Sequence, residues 1–196
     1  MKIETRRLVL RNFKEEDIND YFTIVSQKNV GPRCGWEPCT DKNVAMEMLM
    51  KDTAKEYKFA IELKDSNEVI GCVEILDLVN LDKYPFVKES DMKDVKEVGF
   101  FINEYYWNKG YMTEALDVIL ATCFEVLGYR AVVASYYEPN VASGKVQSKC
   151  GMKCVGKLKD YTTWYETNEP CDLVMMQIVV EDYNKNKTNK EIEISE

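Results

Sequence analysis

Residues 96–128 read KEVGFFINEYYWNKGYMTEALDVILATCFEVLG, and the fold follows from how this stretch divides. From Val95 to Ile102 it is rich in β-branched and aromatic residues, which favour a pleated strand. A short loop over 103–109 leads to Gly110, and Thr113 is placed as the N-cap of a long apolar helix that Gly128 stops. Glu114, Asp117 and Glu125 make a narrow polar stripe, while Leu116, Val118, Ile119, Leu120, Cys123, Phe124 and Leu127 cover the rest. A helix so apolar around its circumference is packed on most sides. Its N-terminus is then held in place, and its first N–H groups, which have no intrahelical acceptor, suit a phosphate. On physics alone Gly110 serves equally well as a plain strand-to-helix turn.

Before this stretch, residues 3–12 (IETRRLVLRN) form an opening strand, with Leu8 and Leu10 on one face and Arg7, Val9 and Arg11 on the other. A helix follows over 15–25, with Glu15, Glu16 and Asp17 in its first turn, where the helix dipole favours acids. The Gly- and Pro-containing segment 30–40 is a structured loop, and Trp36 within it is either a core anchor or a wall of a substrate site. Thr40 or Asp41 caps a second helix that runs to about Glu56. Strands at 57–63 and 69–78 are joined by a polar hairpin turn. Residues 79–94 are then polar and irregular around Pro85, a long excursion that is either functional or mobile. Tyr84 and Phe86 pack part of it back.

Beyond the central helix come a strand at 130–137, a helix at 141–149 capped by Asn140 and stopped by Gly151, and a strand at 152–158. A turn or hairpin loop over 161–170 and a final strand at 173–180 complete a single domain over 1–183. The tail over 184–196 has hardly any apolar residue and is expected to be disordered. Hairpin-linked strands first and strand–helix–strand crossovers later make an α+β (α/β layered) architecture around a mixed sheet.

Composition narrows the chemistry. No apolar run approaches the roughly 20 residues needed to cross a bilayer, and the N-terminus lacks the apolar core of a signal peptide, so the expected location is cytoplasmic, with no membrane partner. A net charge of −8 argues against nucleic acid bound through its phosphates and suits an amine-bearing partner. The chain has no histidine, and its seven cysteines include no C-x-x-C pair, so no metal site is expected. Any general base must be Glu, Asp, Tyr, Lys, Cys or a water chain.

Three motifs carry a family resemblance. YWNKGYMTEA at 106–115 resembles the acyl-CoA pyrophosphate loop of the GNAT family of N-acetyltransferases. ETRRLVLR at 4–11 is similar to the branch containing the ribosomal-protein N-terminal acetyltransferases, and NVASGK at 140–145 resembles the family's second CoA element. Two departures stand out: Trp107 where a Gln or Arg often opens the loop, and Gln147 where many relatives carry a tyrosine that protonates the leaving thiolate.

The resemblance implies a GNAT-like, mostly antiparallel central sheet of six to seven strands flanked by helices. It implies acetyl-CoA as co-substrate and no metal. The pantetheine arm would lie along main-chain groups of Phe100 and Ile102, and the pyrophosphate would meet Asn108, Lys109, Gly110, Tyr111, Met112 and Thr113. Asn140, Ser143 and Lys145 would form the second CoA element, Asn140 being an N-cap as well. Glu97 is placed as the base near the acceptor amine, the plainer alternative being a solvated strand residue beside Lys96. Ser143 would assist the leaving thiolate or simply cap, and Trp36 and Glu97 would face the substrate.

The expected acceptor is an amine-bearing small molecule or a protein N-terminus, and the expected state a monomer or homodimer. Two functions fit: an acetyl-CoA-dependent N-acetyltransferase acting on a primary amine, or a catalytically impaired CoA-binding sensor or interaction module.

Overall fold

A computed structural model describes residues 1–79, 81–186 and 193–195. In chain order the elements are β1 (Lys2–Glu4), β2 (Leu8–Asn12), α1 (Ile18–Val25), α2 (Lys42–Thr53), β3 (Lys58–Leu63), β4 (Val69–Asp77) and β5 (Val95–Ile102). Then follow α3 (Tyr111–Ala121), β6 (Ala131–Tyr137), α4 (Val141–Lys149), β7 (Lys153–Thr163), β8 (Pro170–Val179), α5 (Val180–Asn186) and β9 (Glu193–Ser195). The strands are mixed and mostly antiparallel, with helices beside them, as expected. They number nine among the described residues rather than six or seven.

One extra strand arises because the opening segment is a hairpin and not one strand. The Thr5 N–H donates to the Leu8 carbonyl at 3.0 Å and the Leu8 N–H donates to Thr5 Oγ1 at 3.0 Å, a turn that folds β1 back on β2. The other is β9, which pairs antiparallel with β1. Residues 184–186 of the expected tail lie in α5 and 193–195 in β9, while 187–192 and 196 lie outside the described residues.

The chain forms two compact units. The first comprises Met1–Glu74, Phe100–Val118 and Glu191–Glu196, with strand order β9-β1-β2-β3-β4. At the edge of β4 the end of β5 joins it, where the Asn103 N–H donates to the Ile70 carbonyl at 2.8 Å. Its core is an apolar cluster of Phe13, Tyr21, Val25, Ala45, Leu49, Ala60, Val69 and Cys72. Beside that cluster the Tyr21 hydroxyl donates to Asp52 at 2.9 Å, and Lys58 Nζ lies 2.9 Å from the same carboxylate, both ions being largely buried.

The second unit comprises Ile75–Gly99 and Ile119–Lys190, with strand order β5-β6-β8-β7. β5 runs parallel to β6 over Val95–Glu97, β6 and β8 are antiparallel, and β7 extends to Thr163, past the expected end at 158, through a register shift between Leu158 and Thr162. The 79–94 excursion is built into this unit. Tyr84 is fully buried in a cluster with Leu78, Val87, Val95, Ala131, Val133 and Met175, and its ring meets Phe86 edge-on at 5.9 Å.

The central helix departs from expectation at its start and, short of the expected stop at Gly128, in its last turn. It begins at Tyr111, two residues before the expected Thr113 cap, because Gly110 takes φ +79° and its carbonyl accepts the Glu114 N–H at 3.1 Å. A positive φ that only glycine adopts cheaply thus overrides the capping preference of threonine. At its far end Thr122–Val126 widens into a π-helical turn, closed by Leu127 N–H donating to the Thr122 carbonyl at 3.0 Å, before Gly128 at φ +72° ends it.

The Asp52 network sets a test. Removing one partner of a buried ion pair leaves the other charge uncompensated, at a cost of about 3 kcal/mol or more. Glu74 remains 3.4 Å from Lys58 and softens the loss. Asp52→Ala is expected to cost about 2–3 kcal/mol in urea unfolding and Tyr21→Phe about 1 kcal/mol. Equal costs would contradict an electrostatic role for Asp52.

Candidate active site

In the first unit, the end of β5 offers one edge to β4, and past Glu97 its other edge has no strand partner among the described residues. Main-chain groups alternate sides along a strand. An added Cβ on Gly71 would meet the Phe101 carbonyl at 2.6 Å, and the Asn103 N–H bonds Ile70, so Phe101 and Asn103 face β4. Phe100 and Ile102 therefore face the opposite edge, where the resemblance places the pantetheine. The Ile102 carbonyl already accepts the Trp107 indole N–H at 2.9 Å, leaving one lone pair, and Cys34 Sγ is 3.9 Å from the Phe100 carbonyl. Trp107, the departure from the family wording, thus closes the loop onto its own strand, with the Arg33 guanidinium 5.6 Å from its ring centre.

The loop after β5 is tightly specified. Buried Gln27 donates from Nε2 to Asn103 Oδ1 at 2.8 Å and accepts the Glu104 N–H at 3.0 Å, while Asn103 Oδ1 also accepts the Tyr105 N–H at 3.0 Å. Asn108 takes φ +59° and Gly110 φ +79°, so the chain turns sharply into α3. Because the Glu114 N–H makes the bond to Gly110, the N–H groups of Tyr111, Met112 and Thr113 precede the helical ladder. All of the residues expected to meet the pyrophosphate, Asn108 to Thr113, lie in this turn and first helical turn. Lys109 Nζ lies 5.0 Å from the Tyr106 ring centre.

No motif announced what braces this turn. Glu114, in the first turn of α3, accepts three bonds from the β1–β2 hairpin: Thr5 Oγ1 at 2.6 Å, the Arg7 N–H at 2.9 Å and Arg7 Nε at 2.6 Å. Arg7 Nη1 then donates to the Lys109 carbonyl at 3.0 Å, and its guanidinium lies 4.2 Å from the Tyr111 ring centre. Burial pushes the Glu114 carboxyl up, but the bonds from Thr5 and Arg7 outweigh it and hold the group below its ordinary value. Trp36 packs here as well, against the first unit's cluster, with its ring 5.8 Å from Phe101 and over Gly31, where an added Cβ would meet it at 2.6 Å.

In the second unit, Glu97 closes the parallel register with β6, opposite Val133. One oxygen, Oε1, accepts both Lys83 Nζ at 2.5 Å and the Tyr84 hydroxyl at 2.7 Å, so Glu97 is no solvated strand residue. Burial first, then the Glu97 charge, drive the Tyr84 phenol far above its ordinary value, and a bond from Ser135 offsets part of this. Tyr84 is therefore a fixed donor to the carboxylate. Two residues beyond Ser135 on β6, Tyr137 meets the buried Trp164 edge-on at 6.4 Å. Alternating polar and aromatic residues on a strand carry no distinctive motif, so neither was singled out from sequence.

Asn140 caps α4 as expected, accepting the Ser143 N–H. Fully buried Gln147 donates from Nε2 to Ser143 Oγ at 3.1 Å, and its Oε1 has no partner among the described residues. With Gln147 donating to the oxygen, the Ser143 hydroxyl hydrogen is left to donate elsewhere. Gly144 sits so close to Tyr136 that an added Cβ would lie 2.6 Å from its ring. Lys145 is exposed and, with Tyr136, Glu138 and Val141, lines an open cleft of about 350 Å³. Among the described residues no group of three or more acidic, Cys or His side chains is arranged to hold a metal ion. None of the described helices is long and apolar enough to cross a membrane.

Residues 7–153 match the acetyltransferase (GNAT) domain family. The chain belongs to the GNAT family of acetyltransferases. It is 25% identical over 182 residues to the uncharacterized N-acetyltransferase YoaA of Bacillus subtilis, covering 90% of this chain and 96% of that one. The ribosomal-protein-S5-alanine acetyltransferase of Vibrio fischeri superposes with a TM-score of 0.70 at 19% identity, over 93% of this chain and 98% of that one. The spermidine N-acetyltransferase of Vibrio cholerae, in complex with CoA and spermine, gives a TM-score of 0.72 at 17% identity, over 90% and 98%.

The brace on the turn predicts a pH signature. A carboxyl whose folded pKa lies below its unfolded value of about 4.3 stabilises the fold above that value and loses the effect as pH falls through the folded pKa. Glu114→Gln should therefore lower stability by about 1–2 kcal/mol near neutral pH, the scale of charge-assisted bonds on a partly exposed group. The gap from the parent protein should narrow as pH falls below about 4. Thermal melts across pH test this, and a constant gap would refute it.

Proposed function

We propose that this protein transfers an acetyl group from acetyl-CoA to a primary amine, with residues 1–183 forming the acetyltransferase domain. The observation that carries the reading is the turn at Asn108 and Gly110, with both residues at positive φ, opening the apolar helix α3 under the Arg7–Glu114 brace. Such a terminus offers several oriented N–H groups and a partial positive charge to a pyrophosphate. In this reading Asn108, Lys109, Gly110, Tyr111, Met112 and Thr113 hold the pyrophosphate, and the outward groups of Phe100 and Ile102 hold the pantetheine. Asn140, Ser143 and Lys145 supply the second CoA element. Bound acetyl-CoA would supply a thioester carbonyl for the amine to attack.

The chain's own residues then divide the work. An amine is mostly protonated near neutral pH and attacks only as the free base, so a proton must leave it. Without histidine, Glu97 is the carboxylate positioned to accept that proton, directly or through a water. Tyr84, donating to Glu97, fixes the carboxylate and stays protonated itself. Ser143, whose oxygen accepts from Gln147, would have its hydroxyl hydrogen available to assist a leaving thiolate. Trp36 orders the loop near Phe101, and a substrate-facing role for it belongs to this reading.

The acceptor is a small-molecule amine or a protein N-terminus. The excess of acidic residues favours a cationic acceptor, and the spermine-bound neighbour is consistent with one. A cytoplasmic protein, monomeric or homodimeric, that binds neither nucleic acid nor membrane fits the same picture. A second reading, a CoA-binding module that has lost catalysis, is favoured by Gln147 at the tyrosine position and by the ties on Glu97. Thiol release from acetyl-CoA with spermine and with peptides bearing Ala or Ser N-termini separates the two, since a module releases none.

Two substitutions test the parts. Gly110→Val puts a β-branched residue at φ +79° and closes the backbone approach, and CoA binding should weaken by about 2 kcal/mol or more. Calorimetry on folded protein checks this, and unchanged affinity would remove the pyrophosphate from this turn. Glu97→Gln keeps the shape and removes basicity. It should lower kcat by roughly 10²- to 10⁴-fold with CoA affinity intact, and raising the pH should restore part of the loss. Full kcat at pH 7 would leave Glu97 without a catalytic role.

A further inference from the structure

We propose that Lys83 is itself an acetyl acceptor, so that the protein acetylates its own chain at this one lysine. The inference rests on the reading of Glu97 as base and names an acceptor for it. Lys83 ends a short 3₁₀ turn, Leu81–Lys83, in the excursion between β4 and β5. Its ammonium lies on Glu97 Oε1, the oxygen that also accepts the Tyr84 hydroxyl, and 5.2 Å from the Tyr84 ring centre. A cationic acceptor seeking Glu97 would need this same place. Lys83 therefore holds the acceptor's position with an amine already attached to the protein.

The position is pinned from below. Tyr84, the next residue, is fully buried among Leu78, Val87, Val95, Ala131, Val133 and Met175, so the backbone of Lys83 has little freedom to swing away. A tethered, oriented amine reacts as if present at very high concentration. Other paired lysines of this unit contact carboxylates with no proposed part in the chemistry: Lys96 with Asp77, Lys153 with Asp182, Lys157 with Glu138 and Lys159 with Asp172.

The step balances simply. Glu97 takes a proton from the Lys83 ammonium, Nζ forms a bond to the acetyl carbonyl carbon, and the carbon–sulfur bond of acetyl-CoA breaks. CoA leaves as the thiol after taking a proton, and one proton passes to solvent. The product amide carries no charge, so the ion pair is lost and Glu97 keeps Tyr84 alone.

The experiment uses the full chain with acetyl-CoA and no added amine, followed by peptide mass spectrometry of every lysine. Lys83 should be acetylated at least about tenfold faster than Lys88 and Lys93 of the same excursion, the gain expected from tethering at a base. Lys83→Arg keeps the ion pair but cannot form the product, so amine-independent thiol release should disappear. Glu97→Gln should slow labelling by about tenfold or more. A readout without acetyl-CoA is the affinity for spermine by calorimetry, which should tighten several-fold in Lys83→Gln once the tethered ammonium is gone.

If Lys83 is labelled no faster than Lys88 and Lys93 while spermine gives Glu97-dependent thiol release, self-acetylation is overturned and the proposed function stands. If spermine binds Lys83→Gln no more tightly, Lys83 does not hold the acceptor's place. If thiol release with spermine is indifferent to Glu97→Gln, the base assignment falls and takes this step with it.

Discussion

One carboxylate, Glu114, braces the turn that opens α3. It stands in the first turn of α3, where the helix dipole already favours a negative charge, and it gathers the Thr5 hydroxyl, the Arg7 N–H and the Arg7 guanidinium. Arg7 reaches on to the Lys109 carbonyl and covers Tyr111. The turn at Gly110 places two unusual backbone conformations close together, and each alone is a weak preference of the chain. The β1–β2 hairpin ties that turn down through bonds to Glu114 and to the Lys109 carbonyl. Preorganised donors cost no rearrangement when charge arrives.

In the second unit, the candidate base Glu97 is held without any histidine. A strand carboxylate must be able to accept a proton yet stay in place, and Glu97 is held by a cation and a buried phenol at the same oxygen. The phenol is anchored in the core by the excursion before β5, so a segment that looks dispensable in composition sets the geometry of the candidate base. The charge on Lys83 lies on this carboxylate, where a proposed cationic acceptor would also have to sit.

What the sequence made legible were features governed by local backbone rules. Gly110, Gly128, Gly151 and the Asn140 cap fall where single-residue chemistry demands them, and each lies at its expected junction. Misplaced features carry two local signals in conflict, as where the capping preference of Thr113 is pre-empted by Gly110. The β1–β2 hairpin was hidden in an alternating pattern that continues through Thr5, and only the side-chain turn of Thr5 breaks it. Contacts between distant residues left no trace in spacing. Glu114 and Arg7 are 107 positions apart and Gln27 and Asn103 are 76 apart, so their pairing depends on the folded sheet. Lys83 on Glu97 is only 14 positions away, but an irregular segment has no period from which to infer a contact.

The π-helical turn at Thr122–Val126 bears on the length of the chain itself. An i→i+5 turn spends one residue more than an α turn to complete the same circuit, so Thr122–Val126 holds one residue more than a plain α-helix would between the same ends. Gly110 fixes where α3 starts and Gly128 where the helical run stops, each by a left-handed backbone that leaves little room to slide. Between two fixed ends, a surplus residue can only be stored as a local widening. A relative one residue shorter in this segment would keep both junctions by reverting to plain α-helix. A residue gained or lost here would be taken up by the widened turn, while the turn at Gly110 keeps its place.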